Sequence, residues 1–334
     1  YIIFRSFLNK NMWKFEGQEH IYKLIQNSMV KTRINHAYLL LGPEHIGKTT
    51  LSLEITKFLH CIDEIKPCQN CDQCIRINET NHPDIVLVGN TISEIREIQE
   101  KVSLSPFLSN SKTFIIHNGE SLTIEASNAL LKILEEPPNN VTFIISATDE
   151  QYLPSTIASR CQKLELYPLS TQRIYDYLIQ HFDISNDEAK EEAKLISKLS
   201  KGRLGWAITA YTDTNFLQTR NHDISLFDQI INGDMSERFL LSQQLSNNFN
   251  KNKDNIYTTL ETWLSYLRDI MLLQTNSHEL IINIDYEKKL IELGNKFELS
   301  TIIESIKVID KASKNLNKNG NPRITLDNLL MRFP

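Results

Sequence analysis

The sequence predicts an α/β domain built on a parallel sheet, followed by an all-helical remainder. Three observations carry that prediction. A phosphate-loop motif stands between an apolar run, AYLLL at 37–41, and a helical pattern that begins at Lys48. Four further apolar runs of strand character, at 85–88, 113–116, 141–146 and 164–166, alternate with helical segments. Such alternation marks a parallel sheet covered on both faces. It stops near Pro168, and from Ser170 onward the apolar spacing is almost wholly helical.

Each element has a local reason. The first run ends on Gly42, and the helix from Lys48 continues to about Leu59. Residues 124–136 read as a helix that Pro137-Pro138 stop, because proline cannot continue one. Ser170 caps a helix through RIYDYLIQHF, and another covers 187–199 before Gly202. From about Thr214 the helices lengthen, as in IYTTLETWLSYLRDIMLL at 256–273. Asparagine-rich patches at 247–255 and 315–321 read as loops or helix ends. The expected divisions are therefore an α/β domain over 12–168, a small helical domain over 169–212 and a helical domain over 213–334.

The chain's 334 residues suffice for two or three domains. Its formal net charge of −5 makes the whole molecule no attractor of nucleic acid, so any such contact must come from a local face or from neighbouring subunits. No apolar run is long enough to span a bilayer. The opening stretch YIIFRSFLNKN is broken by Arg5 and Lys10 and is too short for a secretory signal. Met12 is read as the natural start and residues 1–11 as an upstream extension, with an N-terminal strand as the plainer alternative. The expected compartment is the cytoplasm, where thiols stay reduced.

Gly42-Pro43-Glu44-His45-Ile46-Gly47-Lys48-Thr49 matches G-x-x-x-x-G-K-[ST] without deviation. Glycines let the backbone curl so that its N–H groups meet phosphate oxygens. Lys48 would reach the β- and γ-phosphates of ATP, and the Thr49 hydroxyl would ligate Mg²⁺. Gly42, Gly47, Lys48, Thr49 and Thr50 form the candidate nucleotide-binding set, at a helix start whose dipole favours anions. A glycine turn with a solvated lysine is the plainer alternative.

Cys61, Cys68, Cys71 and Cys74 read C-x6-C-x2-C-x2-C. Two-residue spacings turn neighbouring thiolates onto one metal, and four thiolates close a tetrahedral Zn²⁺ site with no open position. Such a site is structural, and it staples a short excursion that lacks apolar content of its own. Four cysteines in fourteen residues of a cytosolic chain disfavour a redox pair. An iron–sulfur cluster is disfavoured by the ribbon-like spacing. His82 lies near, but in a site already full its expected role is a turn or helix cap.

A cysteine module after a P-loop helix, together with HAYLLLGP (36–43), NALLKILEEPP (128–138) and the Ser159-Arg160-Cys161 of IASRCQKLEL, resembles the clamp-loader subunits of bacterial DNA polymerase III, which are AAA+ proteins. The likeness is dense from about Phe15 to Leu169 and looser beyond, where Arg268-Asp269 is family-like. The resemblance implies an AAA+ domain, a helical lid over 169–212 and an oligomerising collar over 213–334. It implies a hetero-pentamer with gamma/tau and delta subunits that places a sliding clamp on primed DNA. It further implies that Arg160 serves in trans, as a finger to the γ-phosphate of a neighbour, and that Thr148 is the polar residue at the end of the next strand.

Within that family the motor subunits carry a DE pair after the strand opposite the P-loop. In register with NALLK, those positions are His117 and Asn118, neither a carboxylate. Glu120 follows, with nothing in the sequence to bring it to the site. The position of the motors' phosphate-sensing arginine is Gly205, and Arg203 is offset by two. An intact P-loop, missing acids and a retained finger resemble the delta-prime class, which implies weak or absent hydrolysis. The alternative is an active gamma/tau-like motor.

Overall fold

The computed structural model describes residues 13–30, 34–89, 91–318 and 320–333. The expected upstream extension, residues 1–11, lies outside them. Contacts divide the chain into two compact units: Tyr1–Leu169 with Gly202–Trp206, and Ser170–Lys201 with Ala207–Pro334.

The first unit is the expected parallel α/β structure. Among the described residues its strands are β1 (Ala37–Leu41), β2 (Ile85–Val88), β3 (Lys112–Ile116), β4 (Val141–Ala147) and β5 (Gln162–Glu165). They lie in the order β2-β3-β4-β1-β5, every pair parallel. β1 is flanked on both edges and covered on both faces, so AYLLL is buried throughout. Successive side chains alternate between the faces. Leu39 and Leu41 join Phe114, Phe143 and helices α4 (Ile92–Val102) and α5 (Ile124–Glu135); Tyr38 and Leu40 join α1 (Glu19–Val30) and α2 (Lys48–His60). The fifth strand lies one to two residues earlier than its apolar run suggests, since Leu41 pairs with Glu165 and Leu166 N–H bonds Leu41 O just beyond.

Helix boundaries follow their caps. The Thr123 hydroxyl accepts from Ala126 N–H at 3.1 Å to start α5, which ends before the proline pair. A short α3 (Asp72–Asn78) carries the last cysteine of the module, and a single turn, α6 (Ser155–Ala158), precedes β5. α4 and α1 were not read from the sequence; α4 is set by a Thr91–Glu94 capping box.

The second unit is helical among the described residues. Its helices are α7 (Thr171–His181), α8 (Asp187–Leu199), most of α9 (Leu204–Thr212), α10 (Thr214–Asn232), α11 (Met235–Lys251), α12 (Lys253–Gln274), α13 (Glu287–Lys296), α14 (Leu299–Asn317) and α15 (Pro322–Leu330). The Ser170 hydroxyl caps α7 through Arg173 N–H. Both asparagine-rich patches contain helix ends, at Lys251 and Asn317. Trp263, Tyr266, Phe227 and Phe333 form an aromatic centre with ring centroids 5.5–6.1 Å apart. The family-like Asp269 is fully buried and accepts from the N–H groups of Ile282 and Asn283, both at 2.8 Å.

Asp223 sits buried beside that centre. Its Oδ1 accepts from the Thr259 hydroxyl at 2.9 Å, while Oδ2 has no partner among the described residues. Burial pushes its pKa up to about 6, against the opposing hydrogen bond and His222. A carboxyl raised in the fold binds its proton more tightly folded than unfolded, so its ionisation weakens the fold as pH rises from the unfolded value through about 6. Asp223→Asn should stabilise the chain by about 2 kcal/mol at pH 8 and leave it nearly unchanged at pH 4, as read by urea denaturation at both pH values.

Candidate nucleotide and metal sites

The C-terminal ends of β1, β3 and β4 lie on one edge of the sheet, the edge where open parallel sheets bind ligands. The P-loop leaves β1 there. Gly42 N–H bonds Ala147 O at 3.2 Å, Ile46 is anchored in the core, and Leu51 N–H bonds Gly47 O at 2.9 Å to begin α2. Gly47 has φ 109°, and a Cβ on it would lie 2.7 Å from the Phe15 ring, so both its conformation and its packing require glycine. Lys48 Nζ donates to the carbonyls of Gly42 and Pro43. Burial pulls the Lys48 pKa below its ordinary value, while the charges of Glu120 and Glu44 hold it up. Thr49 and Thr50 are exposed on the first turn of α2.

His117 and Asn118 follow β3. His117 Nδ1 lies 3.4 Å from Ser146 Oγ, and burial depresses its pKa, which keeps the ring neutral at neutral pH. Asn118 adopts a left-handed conformation (φ 51°) and leads into a tight turn at Gly119. A Cβ at Gly119 would sit 2.9 Å from Ile145, so this glycine lets the turn press against β4. The turn carries Glu120 to the end of β4. Its Oε1 accepts from both the N–H (3.0 Å) and the hydroxyl (2.9 Å) of Thr148, at the end of β4. Its Oε2 is buried with no hydrogen-bond partner among the described residues.

Gly205, at the start of α9, meets the P-loop through its backbone. Its N–H bonds His45 O at 2.9 Å, and a Cβ would lie 2.7 Å from that oxygen. The guanidinium of Arg203 stands 5.9 Å over the Trp206 ring.

The four cysteines are brought together at the far end of α2. Their Sγ atoms all lie within 4.8 Å of one another, which suits a tetrahedron of thiolates whose edges are about 3.8 Å for Zn–S bonds of about 2.3 Å. Cys61 caps α2, Cys71 caps α3, and Cys74 is buried within α3. Cys68 N–H points to Cys61 Sγ (3.4 Å) and Cys71 N–H to Cys68 Sγ (3.3 Å), contacts that favour thiolates. At Cys71, burial opposes ionisation, but hydrogen bonds involving Cys74, Ile62 and Cys68 win and hold the thiol near 7. Burial pushes Cys61 and Cys74 up. This donor set can hold a metal ion. His82 stays outside it: its Nδ1 accepts from Asp84 N–H at 3.1 Å, a turn cap.

Sequence reasoning missed how this module is tied down. Gln69, between the cysteines, donates to Glu54 Oε2 (2.8 Å) and accepts from Lys57 Nζ (3.0 Å). Glu54 and Lys57 form a buried pair on α2, and Lys14 N–H bonds the same carboxylate at 3.1 Å.

Arg160 follows α6. Its guanidinium bonds Glu135 Oε1 at 2.7 Å and Thr156 O at 2.9 Å, and a third of its side chain is exposed. Cys161 beside it is a core thiol that burial pushes up to about 12.

A parallel sheet in this order, a P-loop on its carboxyl edge and a cysteine module after the P-loop helix define a nucleotide-loop protein of the AAA+ class. Residues 17–170 match the family model described as DNA polymerase III, delta subunit, and residues 214–334 match that of its C-terminal domain. The chain belongs to the clamp-loader subunits of DNA polymerase III, the family of delta-prime and gamma/tau. It is 29% identical to DNA polymerase III subunit delta' of Bacillus subtilis over 95% of this chain and 96% of that one. It is 27% identical to subunit tau of the same organism over 96% of this chain, which spans 61% of tau. A gamma-subunit-related protein of Thermotoga maritima is a structural neighbour at 20% identity, with 94% of this chain and 97% of that one covered and a TM-score of 0.49. No helix among the described residues is long and apolar enough to cross a membrane.

Purified chain should carry one zinc ion per molecule, measured by metal analysis. Its clustered thiols should react slowly with a thiol reagent until a chelator is added. Cys74→Ser should lose the metal and lower the melting temperature.

Proposed function

We propose that this chain is a delta-prime-like subunit of the clamp loader, which holds nucleotide without turning it over and completes the active site of a neighbouring subunit. The observation that carries this reading is the pairing of an intact P-loop with a neutral His117 and an Asn118 where a motor needs two acids. A general base must accept a proton from the attacking water. His117 already engages Ser146, and Asn118 is no base. The similarity to subunit delta' along nearly the whole chain supports the same reading.

In this reading the P-loop set Gly42, Gly47, Lys48, Thr49 and Thr50 binds ATP with Mg²⁺, and Thr148 lines the same pocket. Bound Mg²⁺ would offset the charge of the phosphates. Lys48 would exchange its loop carbonyls for phosphate oxygens. Zinc on the four cysteines is structural. Arg160, held by Glu135 with its guanidinium at the surface, is the trans-acting finger offered to a neighbour's γ-phosphate. Residues 169–212 act as a lid and 213–334 as the collar that binds gamma/tau and delta in a pentamer. The assembled complex, in the cytoplasm, places the sliding clamp on primed DNA.

The isolated chain should bind a fluorescent ATP analogue, lose that binding on Lys48→Ala, and release no measurable phosphate. Turnover that disappears with Lys48→Ala would instead mark a gamma/tau-like motor. In a reconstituted loader, Arg160→Ala should leave assembly intact by gel filtration and slow clamp-stimulated ATP turnover by about 10³-fold at the interface it serves. An unchanged rate at that interface removes the finger role.

A further inference from the structure

The missing acids at 117 and 118 do not leave the phosphate pocket without a carboxylate. Gly119, by its close approach to Ile145, turns the chain after β3 so that Glu120 lies against the end of β4. Thr148 and Gly42 leave neighbouring strands at the same level, joined by the bond from Gly42 N–H to Ala147 O. Glu120 bonds Thr148 on one side of this junction, and Lys48 bonds Gly42 on the other. The two charges thus flank one point on the sheet edge.

The state of the two carboxylate oxygens differs. Oε1 is saturated by two donors from Thr148. Oε2 is buried and unpartnered. A buried carboxylate oxygen with nothing to accept from is costly, and native structures resolve such atoms with an ordered water or an ion. At the edge of a P-loop pocket, the ion whose chemistry fits an oxygen-only donor is a hydrated Mg²⁺, which keeps several waters and takes one or two carboxylates.

We propose that Glu120 is the acid of this nucleotide pocket, and that its Oε2 accepts from the water shell of the divalent cation accompanying a nucleoside triphosphate, in place of carboxylates at 117 and 118. The inference rests on the nucleotide-binding reading of the P-loop given above.

The test measures affinity of the purified full chain for a fluorescent ATP analogue in Mg²⁺ and in EDTA. Mg²⁺ should tighten binding to the unmodified chain by about tenfold or more, the scale of one added charge interaction near a protein surface. Glu120→Gln should keep the affinity seen in EDTA and lose most of the Mg²⁺ gain, while Glu120→Asp, which retains the charge, recovers part of it. Unchanged circular dichroism and melting temperature confirm that the variants fold. A full Mg²⁺ gain in Glu120→Gln overturns the proposal. So does tighter binding by Glu120→Gln in both buffers, which would make the carboxylate an internal competitor of phosphate. If the unmodified chain binds no nucleotide in either buffer, the P-loop reading falls and this inference with it. Binding without any Mg²⁺ gain overturns the inference alone.

Discussion

The buried pair of Glu54 and Lys57 on α2 is the interaction on which much of the first unit depends. Two charges withdrawn from water cost several kcal/mol each unless geometry and further hydrogen bonds compensate. Here the compensation comes from three separate segments. Gln69 of the cysteine module bonds both charges, Lys14 N–H bonds the carboxylate, and α2 itself supplies the pair. The segment around Lys14 is thereby fixed where Phe15 covers Gly47. One helix carries the P-loop at its start and a four-cysteine cluster at its end, and a single charge pair between them ties both to the segment around Lys14.

That arrangement explains why a short, polar cysteine excursion belongs beside a nucleotide loop. The excursion has few apolar side chains to bury, and Ile62 and Ile65 are exposed. It holds its shape through sulfur geometry and through Gln69. Loss of that shape would leave Glu54 and Lys57 short of partners in the interior, a penalty borne by the P-loop helix rather than by the module alone.

How much of this was legible in the sequence follows from chain separation. The P-loop and the four cysteines are local patterns in which chemistry is fixed by spacing, so both could be read directly. The sheet is readable because β1, β3 and β4 are buried along their whole length and are mostly apolar, with β1 apolar throughout. The last strand begins earlier than its apolar run because Gln162 and Lys163 at its start are polar and only Leu164 of its four residues is buried. Glu120 was set aside because its reach depends on the contact of Gly119 with Ile145, twenty-six residues away in the chain and adjacent only in the fold. Gln69 and Glu135 carry no pattern at all; their partners are Glu54 with Lys57, and Arg160, chosen by tertiary packing. The absence of an arginine at 205 was visible, but its physical meaning was not.

That meaning is mechanical. At Gly205 the P-loop backbone at His45 occupies the space a side chain would need. An arginine there would drive its Cβ into a carbonyl oxygen and break the hydrogen bond that fastens the loop. No substitution at 205 can therefore add a side chain unless the start of α9 first moves away from the loop. The shape of the loop and the identity of residue 205 form one coupled unit, in which neither can change alone.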